Sequence, residues 1–348
     1  MASLARPLSL GSLVALTALA LVACTSDDGG GNPNGGGSGN GGGQGNAGSP
    51  AAGGSNAAGS NAAGSSSSGS SMGGNNAGGG GAASAGGGGG TGGTGGTGGG
   101  AVTASPGCGM AAGQELGMWV EQPMLDVAGT ERQWWVWLPE GYDPSKAYPL
   151  IFNFHGCSNS NNIVPMQNVA GDQAVMVRGT GITDNVCWDA SPTGNDLAFF
   201  DQMLADVVAK RCVDTSRVFA TGYSSGSWLS NMLECERGDK LRAVGTVSGG
   251  TFGNKANCKG KFARIFVHDN TDLDNEIIDG NDDERDRLIE QNNCMAGTPP
   301  VMEEPAPCAR YQGCDPGYPV IWCETSGKGH DRQDSLAPGA FWKLFSSL

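Results

Sequence analysis

The sequence predicts an α/β fold with a mostly parallel central sheet and helices on both of its faces. Short runs rich in valine, isoleucine and phenylalanine alternate along the chain with segments that have helical periodicity. The run at 150–154 is apolar throughout, as expected of a strand buried in the middle of a sheet. Because a parallel neighbour needs a crossover connection, usually a helix, this alternation favours a parallel sheet.

The elements are placed as follows. We expect strands at 134–138, 150–154, 174–177, 218–221, 243–247, 262–267 and 320–322. We expect helices at 195–210, 228–235, 282–292 and 340–345. The first of these helices begins at Asn195-Asp196, a pair typical of a helix cap.

A serine between two glycines is the strongest functional pattern. Gly222, Ser224 and Gly226 form G-x-S-x-G, preceded by a β-branched apolar run and followed by a helical segment. Strand, tight turn and helix with a serine at the apex is the nucleophile elbow of α/β-hydrolases. The alternative is an ordinary Gly/Ser turn, since the chain contains 62 glycines. The flanking strand and helix favour the elbow.

The chain has three histidines, and their order selects the base. In α/β-hydrolases the nucleophile comes first, then the acid, then the histidine. His155 precedes Ser224, and His268 has only Asp239 or an early glutamate before it. His330 follows the last strand, so we expect it to be the base rather than a surface histidine. The loop after 262–267 offers three acids, namely Asp269, Asp272 and Asp274.

A second backbone donor is needed to stabilise the oxyanion. The segment after the strand at 150–154 is in the appropriate place, so the amides of Cys157 and Ser225 are the expected pair. His155 is then structural and fixes this loop. Trp188 and Tyr223 are candidates to contact substrate, although a core position for Trp188 is the alternative.

The N-terminus has the layout of an export signal. Residues 1–24 have one arginine, an apolar run and a final Leu-Val-Ala-Cys. This ending resembles a bacterial lipobox, which predicts cleavage before Cys24 and lipid on its thiol; an ordinary signal peptide that ends in cysteine is the alternative. We therefore expect an exported protein, anchored in the outer membrane or cell surface through Cys24, or secreted.

Residues 25–105 consist mainly of Gly, Ser, Asn, Ala and Thr. Such a segment has too few large apolar side chains to form a core, so it predicts a disordered linker. Residues 106–348 form the catalytic domain and carry almost all of the net charge of −14. An acidic domain does not favour binding to nucleic acid or to anionic membranes. We expect a monomer.

Ten cysteines lie in the domain of a chain with an export signal, so disulfides are expected. No Cys-x-x-Cys pair is present, so no zinc site is predicted. The order of the elements suggests five pairs. They are Cys212–Cys235, Cys157–Cys187, Cys108–Cys258, Cys294–Cys314 and Cys308–Cys323.

Together, several short motifs resemble the secreted polyhydroxybutyrate depolymerase and feruloyl esterase group, carbohydrate esterase family 1-like α/β-hydrolases. These are His155-Gly156-Cys157, Asn195-Asp196 with Phe199, Cys212-Val213-Asp214, Ala220-Thr221-Gly222-Tyr223-Ser224 and Gly329-His330. In that group the acid lies in an H-G-x-x-D loop. The resemblance therefore selects Asp272. Asp269 stands where the group has glycine, and Ser227 where a second glycine usually follows the elbow.

The resemblance implies a serine esterase without metal or organic cofactor. Its substrates would be feruloyl or acetyl esters of plant polysaccharide or, alternatively, polyhydroxybutyrate. A lipoprotein that binds without catalysis on the same fold is the alternative of another class, and the complete triad argues against it. Nothing in the sequence separates ester from amide substrates.

Overall fold

A computed structural model of the protein describes residues 101–250, 258–276 and 281–348. The predicted signal peptide, Cys24 and the predicted linker up to residue 100 lie outside the described residues. In the three described ranges, no helix has both the length and the apolar character needed to cross a membrane.

The strands of the described residues are β1 (Trp119–Glu121), β2 (Leu125–Val127), β3 (Thr130–Arg132), β4 (Trp134–Trp137), β5 (Tyr148–Phe154), β6 (Val175–Gly179), β7 (Val213–Tyr223), β8 (Ala243–Val247), β9 (Ala263–Asp269), β10 (Val301–Met302), β11 (Cys308–Arg310) and β12 (Val320–Thr325). The α-helices are α1 (Gln167–Ala170), α2 (Asn195–Lys210), α3 (Ser225–Glu236), α4 (Asn281–Gln291) and α5 (Ala337–Ser346). Every strand and helix predicted from the sequence is present, with ends shifted by a few residues.

The main sheet has ten strands in the order β1-β4-β6-β5-β7-β8-β9-β12-β11-β10. The central strands, in the spatial order β6, β5, β7, β8, β9 and β12, are parallel. The strands at the two edges, β4 and β1 on one side and β11 and β10 on the other, are antiparallel to their neighbours. The edge strands β1, β10 and β11 were not predicted from the sequence, because they are only two or three residues long. A separate hairpin joins β2 to β3.

Side chains that alternate along the central strands form cores on both faces of the sheet. Phe152 of β5 lies in one core with residues of α2 and α3, while Ile151 lies in the other with residues of α5. In that second core Phe219 stacks on Phe345 with ring centroids 4.4 Å apart. Each fully buried phenylalanine contributes about 1.5–3 kcal/mol. The predicted arrangement, a mostly parallel sheet between two helical layers, is confirmed.

The predicted cap of α2 is wrong. The N-cap residue is Gly194, which has no side chain to accept a hydrogen bond from the first turn of the helix. Asp196 instead points inward, where its carboxylate accepts hydrogen bonds from Arg132 at 2.6 Å and from the backbone N–H of Asp189 at 2.6 Å. A buried arginine needs a charged partner, so Asp196 pairs with it rather than capping the helix.

The N-terminal end of the domain packs beside β7 and the end of α2. The N–H of Thr103 donates to Asp214 at 2.9 Å. The hydroxyl of Ser105 donates to the carbonyl of Arg211 at 2.6 Å. These contacts include residues 103–105, which composition alone assigned to the linker.

The described residues form five disulfides: Cys108–Cys212, Cys157–Cys187, Cys235–Cys258, Cys294–Cys314 and Cys308–Cys323. Three of these pairs agree with the sequence analysis.

The predicted pairs Cys212–Cys235 and Cys108–Cys258 are wrong. The N-terminal segment brings Cys108 to the end of α2, with Cα atoms of Cys108 and Cys212 3.9 Å apart. Cys235 faces the chain that leads into β9, where its carbonyl accepts the N–H of Lys259 at 2.8 Å. The Cα atoms of Cys235 and Cys258 are 4.1 Å apart. These packing contacts decide the pairing.

Candidate active site

Ser224 lies at the sharp turn between β7 and α3. Its φ of 52° is in the left-handed region that side chains rarely adopt, as expected of a strained elbow. A Cβ atom on Gly222 would lie 2.1 Å from the carbonyl oxygen of Gly226. One on Gly226 would lie 2.2 Å from the carbonyl oxygen of Phe154. Close backbone packing therefore requires glycine at both positions of the G-x-S-x-G pattern.

Ser227 supports this turn from inside. Its hydroxyl lies 2.6 Å from the carbonyl oxygen of Val247 and 2.8 Å from that of Gly222, which share its one proton, and it accepts the N–H of Val247 at 3.1 Å. The neighbouring chain passes so close that a Cβ on Gly249 would lie 2.1 Å from the Cβ of Ser227. The serine thus ties the elbow to β8.

The structure brings Ser224, His330 and Asp272 together in a hydrogen-bonded row. The Nε2 atom of His330 lies 2.9 Å from the Oγ atom of Ser224. The Nδ1 atom of His330 lies 3.0 Å from Oδ2 and 3.1 Å from Oδ1 of Asp272. This is the order of contacts that a nucleophile, a general base and an orienting acid require.

The topology of the sheet explains why these residues meet. Ser224 follows β7, Asp272 follows β9 and His330 follows β12, and these strands are parallel. Parallel strands end on one edge of the sheet, where such folds hold their sites. Three loops distant in sequence therefore converge.

Asp272 is held by its own loop. It is 3% exposed, and its Oδ1 atom accepts the backbone N–H groups of Asp274 at 3.0 Å and Asn275 at 2.9 Å. Of the other acids of this loop, Asp274 has an exposed side chain. Asp269 is buried and bonds elsewhere.

The other two histidines are buried behind the site. Burial lowers the pKa of His155 to about 4, so its ring is neutral at pH 7. Its Nε2 atom accepts the N–H of Gly181 at 3.0 Å, and its Nδ1 atom lies 2.6 Å from the carbonyl of Gly156. Burial also lowers the pKa of His268, whose Nε2 atom lies 2.7 Å from the carbonyl of Asn275. Both rings brace loops next to the site.

A cavity of about 250 Å³ opens at Ser224, lined also by Cys157, Trp188, Ala190, Ser225, Trp228 and Asn275. Both predicted oxyanion donors, Cys157 and Ser225, line it. The backbone N–H of Cys157 donates no hydrogen bond to an acceptor in the described part of the chain. The N–H of Ser225, at the start of α3, has no acceptor one turn earlier. The cavity thus has two candidate donors for a developing oxyanion.

Trp188 is part of this wall and is 5% exposed. Its backbone N–H donates to the hydroxyl of Ser225 at 2.8 Å, and its indole N–H donates to the carbonyl of His155 at 2.9 Å. The Cys157–Cys187 disulfide joins the two loops just behind it. These bonds fix the wall relative to the elbow.

Tyr223, the other predicted substrate contact, is not among the residues that line the cavity. Its hydroxyl donates to the carbonyl of His330 at 3.1 Å, and its ring lies against Gly156, where a Cβ would be 2.8 Å from it. The tyrosine therefore fills the space between the base and the oxyanion loop.

Three lining residues were not predicted from the sequence, namely Trp228, Ala190 and Asn275. The indole N–H of Trp228 donates to Oδ1 of Asn275 at 2.6 Å, which joins the cavity wall to the loop of Asp272. Trp228 lies four residues after Ser224, one helical turn away, and this spacing was a usable signal. For Ala190 and Asn275 the sequence offered no comparable signal.

Sequence comparison finds relatives over most of the domain. Feruloyl esterase D of Neurospora crassa is 30% identical over 273 residues, which cover 71% of this chain and 91% of that protein. A probable feruloyl esterase C of Aspergillus terreus is 31% identical over 271 residues, which cover 71% and 92%. No protein-family model matches the sequence.

Among solved structures, an acetyl xylan esterase from Aspergillus awamori aligns with a TM-score of 0.55 at 14% identity. The alignment covers 67% of this chain and 100% of that one, and it shows a shared fold. The shared fold and the 30% identity to feruloyl esterase D over 91% of that protein's length show that this chain belongs to the feruloyl esterase family, whose members are serine carboxylic-ester hydrolases with an α/β-hydrolase fold.

Proposed function

We propose that this protein hydrolyses feruloyl or acetyl esters carried by plant polysaccharide, with Ser224, His330 and Asp272 as its catalytic triad. The observation that carries the proposal is the row of contacts from Ser224 through His330 to Asp272, at 2.9 and 3.0 Å. The names of the relatives, feruloyl esterases C and D, support the acyl group.

In the acylation step, Nε2 of His330 takes the proton of Ser224 while Oγ bonds to the ester carbonyl carbon. The carbonyl π electrons move to the oxygen, which the N–H groups of Cys157 and Ser225 stabilise. The bond to the alcohol then breaks, and the alcohol leaves with the proton from His330. Asp272 keeps the proton of the imidazole on Nδ1 and holds the ring in place.

Deacylation repeats these steps with water. His330 removes a proton from water as its oxygen bonds to the acyl carbon. The bond to Ser224 breaks, and Oγ regains the proton. The products are a carboxylic acid and a free hydroxyl on the polysaccharide. Every step uses groups of this chain, water and the ester.

The walls of the cavity support an aromatic acyl group. Trp188 and Trp228 both line it, on either side of Ser224 in sequence. Trp188 is only 5% exposed, so the partly exposed indole of Trp228 is the flat apolar surface against which a planar feruloyl ring packs favourably. An acetyl group would leave much of this surface uncovered, so we expect a higher kcat/KM for feruloyl esters.

A hydrolysis screen tests the function. Wild-type protein and the S224A variant are incubated with methyl ferulate, acetylated xylan and poly(3-hydroxybutyrate), and released acid is measured. We expect ferulate or acetate from the wild type and none from S224A. A wild type that fails to hydrolyse even 4-nitrophenyl acetate would support the non-catalytic alternative instead.

We further propose that the protein is exported and anchored through lipid on Cys24. Residues 25–100 would then be the tether between this anchor and the catalytic domain, which acts on the polysaccharide substrate. The sequence around Cys24 supports this proposal. Cys24→Ser should release the protein from the membrane fraction with its activity unchanged, because the cysteine lies outside the catalytic domain. Retention of this variant in membranes contradicts the anchor.

A further inference from the structure

We propose that Asp269 is a positioning residue for this reaction, because its carboxylate ties the loop of Asp272 to the loop of His330. The inference rests on the proposed function. Asp269 ends β9 three residues before Asp272 and pairs in register with Thr325, the last residue of β12. It therefore lies where both loops begin.

One oxygen of Asp269 organises its own loop. Oδ1 accepts the backbone N–H of Thr271 at 2.9 Å and the hydroxyl of the same residue at 2.5 Å. The backbone N–H of Asp272 donates to the carbonyl of Asp269 at 3.1 Å. These bonds close the turn that presents Asp272 to the imidazole.

The remaining bonds cross to the histidine loop. Oδ2 accepts the hydroxyl of Thr325 at 2.8 Å and the backbone N–H of Lys328 at 3.0 Å. Oδ1 also accepts the N–H of Gly329 at 3.1 Å, and the same N–H lies 3.3 Å from the hydroxyl of Thr271. Gly329 directly precedes His330, so the carboxylate fixes the backbone from which the base projects.

The charge of Asp269 makes this link strong. Its side chain is 0% exposed. Burial alone would raise the pKa of the carboxyl, but the hydrogen bonds from Thr271, Thr325 and Lys328 hold it well below its usual range. Bonds to a carboxylate are shorter and about twice as strong as bonds between neutral groups.

Asp269 acts through other residues and not on the substrate. It does not line the cavity at Ser224, and the described partners of its carboxylate lie in the two loops or, for Thr325, at the end of β12. The carboxylate joins the loop of Asp272 to the loop of His330, so the distance between these two residues depends on it.

The test compares D269N with wild type in hydrolysis of 4-nitrophenyl acetate, well below the melting temperature. In D269N an NH₂ group replaces one carboxylate oxygen and faces N–H and O–H donors, from which it cannot accept a hydrogen bond. The link between the two loops therefore weakens. We expect kcat to fall on the order of 10- to 100-fold, as for small misplacements of catalytic groups. KM should change by less than about twofold, because substrate contacts remain.

Labelling with a fluorophosphonate, carried to completion, counts the folded sites in which Ser224 still reacts. Full labelling of D269N together with a reduced kcat supports the proposal. A kcat loss matched by an equal loss of labelled sites overturns it, because Asp269 would then serve only the stability of the fold. A wild-type kcat also overturns it. If the wild type itself is inactive, the proposed function fails, and this result is distinct from the others.

Two further variants serve as controls. E131Q removes an exposed carboxylate from the separate hairpin of β2 and β3, so its kcat should match the wild type. T271V removes one hydroxyl bond of the link and should lower kcat several-fold, while T271S should restore it. If D269N does not fold, this pair decides: a T271V variant as active as wild type overturns the proposal.

Discussion

The Nε2 atom of His330 lies 2.9 Å from the Oγ atom of Ser224, although the two residues are 106 positions apart in the chain. The contact is made possible by the parallel order of β7, β8, β9 and β12, which places both loops on one edge. His330 is also held from behind, since its carbonyl accepts the hydroxyl of Tyr223 at 3.1 Å. Base and nucleophile are thus aligned before substrate binds.

Removing either member of this pair should abolish most turnover. S224A and H330A should each lower kcat by several orders of magnitude. Ser224 attacks the ester only when His330 takes its proton, so each residue needs the other. The double variant should be little worse than either single variant. Steady-state assays with 4-nitrophenyl acetate measure this. Strictly additive losses would show that the two residues do not act as a unit.

Variants of two neighbouring aspartates test which carboxylate orients His330. D272N should reduce kcat severely, by about 10⁴-fold, because an amide favours the wrong tautomer of His330. D274N should leave kcat close to wild type, since its side chain is exposed. Circular dichroism of both variants controls for folding. The opposite ranking of kcat would assign the acid to Asp274.

Gly226 should tolerate no side chain. Gly226→Ala would place Cβ 2.2 Å from the carbonyl oxygen of Phe154, so we expect a loss of about 1–3 kcal/mol or failure to fold. Gly339→Ala is the matched control, because nothing lies within 4 Å of its Cβ position in α5. That variant should gain up to about 1 kcal/mol from helix propensity. Urea unfolding measures both, and equal effects would contradict the steric argument.

The Cys157–Cys187 disulfide should matter more for activity than for folding. The double variant C157A/C187A loses the link between the oxyanion loop and the wall at Trp188, so kcat should fall. C235A/C258A opens a loop of similar length, 23 against 30 residues, away from the cavity. Each should cost about 2–4 kcal/mol of stability. Equal kcat in both variants would contradict a role for the first disulfide in the site.

His155 should make the protein less stable in acid. Its pKa is about 4 in the fold because of burial, against an ordinary 6.5. Between these values the unfolded chain binds more protons, so its contribution is complete above pH 6.5 and is lost as pH falls toward 4. The loss is on the order of 3 kcal/mol.

The comparison is between wild type and H155Q, unfolded with urea at pH 7 and 4.5. His268 acts in the same direction, since burial lowers its pKa too. Only the difference between variants therefore reports on His155. We expect a shallower pH dependence for H155Q. Parallel curves for the two proteins would mean that His155 is not held neutral by the fold.

The sequence by itself determined the central strands and the elbow, and it selected His330 as the proposed base. These features depend on local physics: the apolar run at 150–154 predicts a buried strand, and glycine at position 222 avoids a contact with Gly226, four residues further along the turn. The order of Ser224 and His330 along a parallel sheet then left a single histidine in a position to act.

Only the tertiary structure decided the disulfide partners, the cavity walls and the link at Asp269. Cys108 meets Cys212 because the N-terminal segment packs beside α2, 104 residues away in sequence. Asp269 contacts Lys328 because β9 and β12 are paired in register. Such contacts join segments that many chain arrangements could bring together, so the pattern of residues does not encode them locally. The choice among these arrangements is made by the packing of the whole sheet and its helices, which stabilises one register and one set of neighbours.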